Sequence, residues 1–329
     1  MTQRGLLSKR LIVLTTGTAF LVTVGVLLAS ASCDFQSAVA LRTTTNRIKD
    51  KSCLLELSNG RWELMTDGCP KSKKGSLTSC NNENTEYPRQ WVWAGGDTAA
   101  SCIPRRLEYT TVSRLFRGKR IALVGDSHLR KLYGYLGSFL EDESISEAPT
   151  YDKKEHKDFK WKVKKTKTSV EFYWRANVIT ATTLLDEWLE QRTAPDLLVL
   201  DPSAHQAKWA RNFTEFKGEV PGLVESITKY HRMFGEGKPV FWMISPPFKE
   251  PFTRDDENVT WMYSLKKFNS VLIDAGFMAP EGPVYPIDLY SMAEACMDWC
   301  YRDGTHVVPA FNTLLWQILS GAYSHITTT

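Results

Sequence analysis

The chain has 329 residues, of which 43% are hydrophobic and 24% are charged. These values fit one large or two small folded domains, and they exclude an intrinsically disordered chain, a collagen-like repeat and a small scaffold held by disulfides alone. The 41 basic and 37 acidic residues give a net charge of only +4, so the composition does not indicate nucleic-acid binding. A mean hydropathy of −0.29 excludes a polytopic membrane protein.

One apolar segment lies near the N-terminus, where residues 11–32 carry no charge and follow Lys9 and Arg10. About 20 apolar residues cross a hydrocarbon core of ~30 Å, and preceding positive charge keeps that end in the cytosol. We therefore predict a cytosolic tail over 1–10, a type II transmembrane signal anchor over 11–32 and a lumenal remainder. The alternative is secretion after signal-peptide cleavage, because Ala29-Ser30-Ala31 resembles a small-residue cleavage site.

Sequons and cysteines also indicate the secretory pathway. Asn212 and Asn258 each begin an N-glycosylation tripeptide without proline in the middle. The seven cysteines are concentrated towards the two ends of the chain, with none in the long central part. In an oxidising compartment this distribution predicts a disulfide-stapled N-terminal region and a tied-down C-terminal loop. A zinc site with Cys296, Cys300 and His306 is the weaker alternative.

The composition of the sequence changes along the chain. Residues 33–52 are predicted to form a polar stem, and residues 53–105 a Cys- and Trp-rich subdomain of loops and short strands. Core packing is the favoured role for Trp91 and Trp93 in that subdomain, with carbohydrate stacking as the alternative. Residues 106–329 form the predicted catalytic domain.

In that domain short apolar runs alternate with amphipathic stretches. The predicted strands are Ile121–Val124, Val170–Trp174, Leu197–Leu200, Val240–Ile244 and Val284–Ile287. One predicted helix begins at about Leu129. The other predicted helices are Leu184–Arg192, Leu223–Phe234, Trp261–Ala275 and Pro309–Leu319. This alternation predicts an α/β fold with a parallel sheet flanked by helices.

A candidate nucleophile follows the first of these strands, in Gly125-Asp126-Ser127. A serine there lies at the carboxyl end of a parallel strand, where α/β folds place their sites, and its N–H can stabilise an oxyanion. The tripeptide alone is a weak signal, because a plain turn with Ser127 as helix N-cap has the same sequence.

The C-terminal segment supplies the missing partners, since Asp303 and His306 stand three residues apart before the last predicted helix. A serine nucleophile needs a base within hydrogen-bond reach and a carboxylate that orients the base. We therefore predict a catalytic triad of Ser127, His306 and Asp303. The adjacent His128 is expected to point its ring away from the nucleophile.

These motifs resemble those of the trichome birefringence-like proteins, in the PC-esterase branch of SGNH-like hydrolases. Val124–Arg130 is similar to the G-D-S-x-x-R opening of that branch, and Asp303–His306 is similar to its closing D-x-x-H. An upstream pattern adds to the resemblance, which thus covers nearly the whole chain from Cys53 onward. That pattern consists of Cys53, Gly60-Arg61-Trp62, Cys69-Pro70, Cys80, Trp91-Val92-Trp93 and Cys102-Ile103-Pro104-Arg105.

The chain also departs from the family pattern. Gly304 and Val307-Val308 stand where plant members carry cysteines in and after the closing motif. The family's N-T-G-H-W-W block is only loosely echoed by Leu200–His205, and no G-x-N-D supplies oxyanion donors. Such departures fit a divergent lineage with another acceptor, and also a lineage that has lost activity.

The resemblance implies a Golgi, type II membrane polysaccharide O-acetyltransferase with an SGNH-hydrolase-like fold. Such an enzyme uses acetyl-CoA or another acetyl donor as co-substrate, a polysaccharide as acceptor, and no metal or bound cofactor. We expect Asp126, Arg130 and His205 to contribute to the oxyanion hole or to substrate binding. The resemblance also implies a Cys53–Cys102 disulfide.

Two further cysteine pairings and one charged segment stay open at this point. Cys80 is expected to reach Cys296 or Cys300. Lys153–Lys167, with eight lysines and two acidic residues, is typical of a solvated loop or exposed hairpin. The alternative is that it meets an acidic polysaccharide or the phosphates of coenzyme A.

Three other functions compete with acetyl transfer. A carbohydrate acetyl esterase would use the same triad with water as acceptor. A glycosyltransferase would share the anchor and stem, but the chain has no Asp-x-Asp triplet for a metal-bound sugar nucleotide. A non-catalytic glycan-binding wall protein would have no reason to keep Ser127, Asp303 and His306.

Overall fold

A computed structural model describes residues 59–64, 89–94, 109–141, 156–209, 213–247, 258–296, 300–301 and 305–328. All of these belong to one unit, Ile48–Thr329. The predicted tail, anchor and stem over 1–52 lie outside the described residues. Among the residues that are described, no helix is both long and apolar enough to cross a membrane.

Eight strands are described, in a two-stranded and a six-stranded sheet. The two-stranded sheet contains β1 (Gly60–Leu64) and β2 (Arg89–Trp93). The larger sheet contains β3 (Arg120–Gly125), β4 (Phe159–Lys162), β5 (Ser169–Trp174), β6 (Leu197–Asp201), β7 (Val240–Met243) and β8 (Tyr285–Ile287).

The larger sheet has the strand order β4-β5-β3-β6-β7-β8. Neighbouring strands from β5 to β8 in that order are parallel, whereas β4 is antiparallel to β5. The predicted parallel sheet is confirmed. The antiparallel edge strand β4 lies in the lysine-rich segment, and it forms a hairpin with β5. Lys160 and Lys162 of β4 are exposed, whereas Val163 and Thr166 between the strands are buried.

Helices cover both faces of this sheet. In chain order they are α1 (Tyr109–Leu115), α2 (Ser127–Glu141), α3 (Val178–Glu190), α4 (Ser203–Trp209), α5 (Phe213–Phe234), α6 (Asn258–Asp274), α7 (Leu289–Glu294) and α8 (Pro309–Thr328).

The side-chain alternation of the strands divides the core into two layers. On β3, Ile121 and Leu123 join a cluster that includes residues of α1, α2 and α8. Ala122 and Val124 point the other way, into a cluster with residues of α3, α5 and α6. Both faces of the sheet are therefore buried, which is why its strands read as continuous apolar runs.

The β1–β2 hairpin packs into the first of these layers. Trp62 lies opposite Trp91 in register, with ring centroids 5.4 Å apart, and its ring is 5.7 Å from that of Phe311 in α8. Trp91 is only 1% exposed, and Trp93 packs against the same cluster. The expected core role of these tryptophans is confirmed.

Candidate active site

The Gly125-Asp126-Ser127 turn lies at the carboxyl edge of the sheet, between the ends of β5 and β6. Gly125 pairs with Trp174 on one side and Asp201 on the other. A Cβ atom at Gly125 would stand 2.3 Å from the carbonyl oxygen of Asp201. Glycine is therefore required here by close backbone approach, as expected where a strand leads into a tight turn.

Asp126, rather than Ser127, caps helix α2. Its Oδ1 accepts a hydrogen bond of 2.9 Å from the backbone N–H of His128, two residues on, as an N-cap side chain does. The alternative in which Ser127 is only the N-cap is therefore wrong. Ser127 occupies the first position of the helix, and its hydroxyl is available for other contacts.

The hydroxyl of Ser127 contacts the predicted base. His306 Nε2 lies 2.8 Å from Ser127 Oγ, although 179 positions separate the two residues in sequence. Both side chains are half-buried. This is the distance at which an imidazole takes a proton from a serine, so the predicted nucleophile and base are brought together. Asp303 lies outside the described residues, and its orienting role stays a prediction.

His306 lies in the segment between a disulfide and helix α8. Cys296 and Cys300 are bonded to each other, with Cα atoms 5.5 Å apart. Next to this bond the N–H of Val308 donates to the carbonyl of Cys300 at 2.8 Å, and Tyr301 forms a β-bridge with Val307. These contacts tie the residues on either side of His306 to Cys300 and Tyr301 just before α8 begins.

This disulfide corrects two expectations. Cys80 does not pair with Cys296 or Cys300, because these two cysteines are bonded to each other. Zinc ligation by the same pair with His306 is also wrong, since disulfide sulfurs are not thiolate ligands. Cys300 is a disulfide cysteine, as predicted, but with another partner. Cys53, Cys80 and Cys102 lie outside the described residues.

Asp126 also joins the turn to the neighbouring helix α4. Its second oxygen, Oδ2, accepts a hydrogen bond of 2.9 Å from the backbone N–H of His205. Asp126 is only 2% exposed, and both of its oxygens thus hold backbone N–H groups. This geometry makes Asp126 a brace between α2 and α4, and a direct contact with substrate stays a prediction.

A second buried carboxyl group, Asp201, lies at the end of β6. Its Oδ1 accepts hydrogen bonds from the hydroxyls of Ser203, at 3.0 Å, and Ser245, at 2.5 Å. Complete burial, and then the negative charge of Asp126, raise the pKa of Asp201 well above its usual value. The sequence did not single out Ser245, which is distant from Asp201 along the chain.

Arg130 and His205 surround the ring of Trp174. The Arg130 guanidinium lies 5.8 Å from the centroid of the indole, and the His205 imidazole lies 5.5 Å from it. Arg130 is buried and His205 is half-buried. Arg130 lies one helical turn after Ser127 in α2, and His205 is joined to the Ser127 turn through Asp126. A role of either residue in the oxyanion hole stays a prediction.

His128 lies close to the predicted base. Its buried ring has its centroid 5.4 Å from that of His306, so the two imidazoles are neighbours, and the expected orientation of the His128 ring away from Ser127 stays a prediction. Together with Lys131 and Asn312, the two imidazoles line a small cavity of about 10 Å³. The signal that could have found this contact is the position of His128, one residue after the nucleophile.

No cluster of three metal-ligating side chains occurs in the part of the chain that the structure describes. Of the predicted glycosylation sites, Asn258 is the first residue of α6, and Asn212 lies outside the described residues.

No family model matches the chain, and comparison with known proteins finds a distant relative. The chain is 22% identical over 278 residues to the protein ALTERED XYLOGLUCAN 9 of Arabidopsis thaliana, which belongs to the trichome birefringence-like proteins. The alignment covers 78% of this chain and 73% of that protein. The similarity supports the resemblance seen in the motifs at the level of the family.

Proposed function

We propose that this protein is a polysaccharide O-acetyltransferase of the secretory pathway with an SGNH-hydrolase-like catalytic domain. The observation that carries the proposal is the 2.8 Å contact between Ser127 Oγ and His306 Nε2 at the carboxyl edge of the sheet. A distant similarity to a trichome birefringence-like protein supports the substrate class.

The first half-reaction would transfer acetyl from the donor to the enzyme. His306 Nε2 takes the proton of Ser127 Oγ, and the oxygen attacks the acetyl carbonyl. The tetrahedral intermediate collapses with loss of the donor's leaving group, which receives the proton from His306. An acetyl-serine remains, and Asp303 would orient the imidazole throughout.

In the second half-reaction a sugar hydroxyl takes the place of the leaving group. Neutral His306 removes its proton, the sugar oxygen attacks the acetyl-serine, and the proton returns to Ser127 as the acetyl ester forms on the sugar. The N–H of Ser127 at the start of α2 would stabilise both oxyanions, with Arg130 or His205 as further donors.

The proposed acetyl donor is acetyl-CoA or a related activated acetyl compound. The proposed location of the catalytic domain is the Golgi lumen. Hydrolysis is the second candidate, because the same Ser127–His306 pair would release free acetate if water replaced the sugar. Exclusion of water by a bound acceptor decides between the two outcomes.

The test uses the full chain with radiolabelled acetyl-CoA, with and without a panel of plant cell-wall polysaccharides. We expect label on a polysaccharide with the native protein and a loss of at least ~10³-fold with Ser127→Ala, because the nucleophile is removed. Release of acetate alone would favour the esterase. Equal transfer by the native and Ser127→Ala proteins would contradict the proposal.

A further inference from the structure

Three aromatic rings form a cluster beside the Ser127 turn. The imidazole of His156 is stacked on the indole of Trp174, with centroids 4.2 Å apart and planes at 7°. The His205 ring stands nearly perpendicular to both, 5.5 Å from Trp174 and 6.0 Å from His156. These distances place His205 alongside the stack and not on top of it. The outer face of His156 is therefore covered by neither ring.

The cluster is close to the nucleophile. Trp174 is the register partner of Gly125 in the adjacent strand, so their Cα atoms are about 5 Å apart. Ser127 follows Gly125 by two residues, and Arg130, one turn further along α2, contacts the indole. His205 is joined to the same turn through Asp126.

The outermost ring of the cluster is positioned and accessible. Asp158 accepts hydrogen bonds from the backbone N–H of Trp174, at 2.8 Å, and from Arg175, at 3.0 Å. These contacts hold the segment that presents His156, whose side chain is exposed, while Trp174 beneath it is half-buried. A core packing role would bury the outermost ring, as it does for Trp91.

We propose that this cluster, His156 with Trp174 and His205, binds one pyranose ring of the acceptor polysaccharide, an assignment that rests on the proposed transferase function. A pyranose presents a face of C–H groups with hydroxyls around its rim. The C–H face would pack on the flat outer side of His156, where aromatic quadrupoles attract C–H groups and apolar area is removed from water. The ring nitrogens of His156 and His205 would meet the rim hydroxyls.

Proximity selects the acceptor over the donor as the occupant. The adenine of acetyl-CoA stands at the far end of the pantetheine arm from the reacting carbonyl. The cluster is beside the reacting serine, so the group that binds there carries or adjoins the reacting hydroxyl. A sugar ring held at that distance has its hydroxyl placed for attack on the acetyl-serine.

Binding is tested first without catalysis, in the full chain carrying Ser127→Ala. Calorimetric titration with hexasaccharides of β-1,4-linked glucose, xylose and mannose should give saturable binding of at least one of them. Adding His156→Ala should raise that Kd about fivefold, and adding Trp174→Ala should raise it about tenfold. The matched control is His325→Ala, which removes an exposed imidazole near the end of α8, away from the cluster.

Turnover then separates failure of the subsite from failure of the proposed function. In His156→Ala with Ser127 intact, the ratio of acetyl-sugar to free acetate should fall several-fold and the KM for the oligosaccharide should rise. The subsite proposal would be overturned if the product ratio and the KM for the oligosaccharide were unchanged in His156→Ala, or if only the KM for acetyl-CoA rose. It would also be overturned if none of the hexasaccharides bound. Loss of acetyl-serine formation in Ser127→Ala tests the transferase function itself and does not depend on these rings.

Discussion

Two buried aspartates beside the Ser127 turn have different surroundings. The side chain of Asp126 accepts two backbone hydrogen bonds, from His128 and His205. Asp201 is completely buried, and its Oδ2 has no hydrogen-bond partner. Burial, and then the negative charge of Asp126, disfavour the charged form of this carboxyl group and raise its pKa well above the usual value. The same substitution should therefore have different effects at the two positions.

We predict that Asp126→Asn destabilises the protein by about 2 kcal/mol, because an amide has one acceptor oxygen and its NH₂ would face a backbone donor. Activity should fall about tenfold or more, since the brace that joins α2 to α4 is loosened. Thermal denaturation and steady-state kinetics would measure both effects. A variant with native stability and native kcat would contradict the bracing role.

Asp201→Asn should be tolerated, because an amide matches a neutral carboxyl group in shape and keeps an oxygen for Ser203 and Ser245. A raised pKa in the folded state means that the folded protein binds more protons than the unfolded chain above about pH 4. Native stability due to this group is thus lost as the pH rises towards the pKa of the folded state. The stability of Asp201→Asn relative to the native protein should increase from pH 5 to pH 8, as measured by urea denaturation. A difference independent of pH would contradict the raised pKa of Asp201.

The pairing of Ser127 with His306 could be predicted from sequence because each residue lies at a recognisable boundary. Ser127 follows a buried strand, and His306 comes just before a long apolar helix. The role of Asp201 could not be predicted, because its pKa depends on the approach of Asp126 and Ser245 through the fold. The contact of His128 with His306 also depends on the fold, because 178 positions separate the two residues in sequence.

At the scale of elements, one ion cluster joins the edge hairpin to the sheet. Glu171 on β5 is only 1% exposed and accepts hydrogen bonds from Arg120 at 2.8 Å and Tyr173 at 2.6 Å. Lys160 on β4 completes the cluster with an ion pair of 2.6 Å. Burial alone would raise the pKa of Glu171, but the bonds from Lys160, Tyr173 and Arg120 outweigh it and lower the pKa to about 2.

We predict that Glu171 contributes about 3 kcal/mol at neutral pH, since each pKa unit corresponds to about 1.4 kcal/mol. A lowered pKa makes this contribution complete above the unfolded value of about 4.3, and it is lost as the pH falls towards 2. Glu171→Gln should therefore shift the acid denaturation midpoint and lower the stability at pH 7.

The control for this prediction is Glu225→Gln, which breaks an exposed pair with Lys229 one helical turn away in α5. Water screens such a pair, so no measurable change in acid denaturation is expected. Equal effects of the two substitutions would show that the buried cluster has no special role in holding the hairpin.

The strands with continuous apolar runs were predictable to within one or two residues, as β3 and β6 illustrate. The edge strand β4 was not predictable in this way. Its half-buried residues, Phe159 and Trp161, alternate with the exposed Lys160 and Lys162, so the strand has the composition of a charged, solvent-exposed segment. The short helices α4 and α7 have too few residues to display a period of 3.6.

At the scale of the whole molecule, the alternation of strands and helices predicts the class of the fold but not the order of its strands. The order β4-β5-β3-β6-β7-β8 places β3 between β5 and β6, and this brings Trp174, Ser127 and His205 to one edge. The ring cluster follows from this order, because its members come from three separate segments of the chain. A sequence pattern cannot show such a cluster before the topology is known.

The compartment in which the whole molecule folds leads to the last prediction. A disulfide next to His306 persists where thiols are oxidised, and the uncharged segment at 11–32 has the length of a membrane anchor. We expect a C-terminal epitope tag to be protected from protease in sealed Golgi vesicles and digested once detergent is added. Peptide-N-glycosidase F should increase the gel mobility of the native chain but not of an Asn212→Gln, Asn258→Gln double variant. An N-terminal tag retained on the membrane would favour the anchor over signal cleavage, and digestion of the C-terminal tag in sealed vesicles would contradict the lumenal topology.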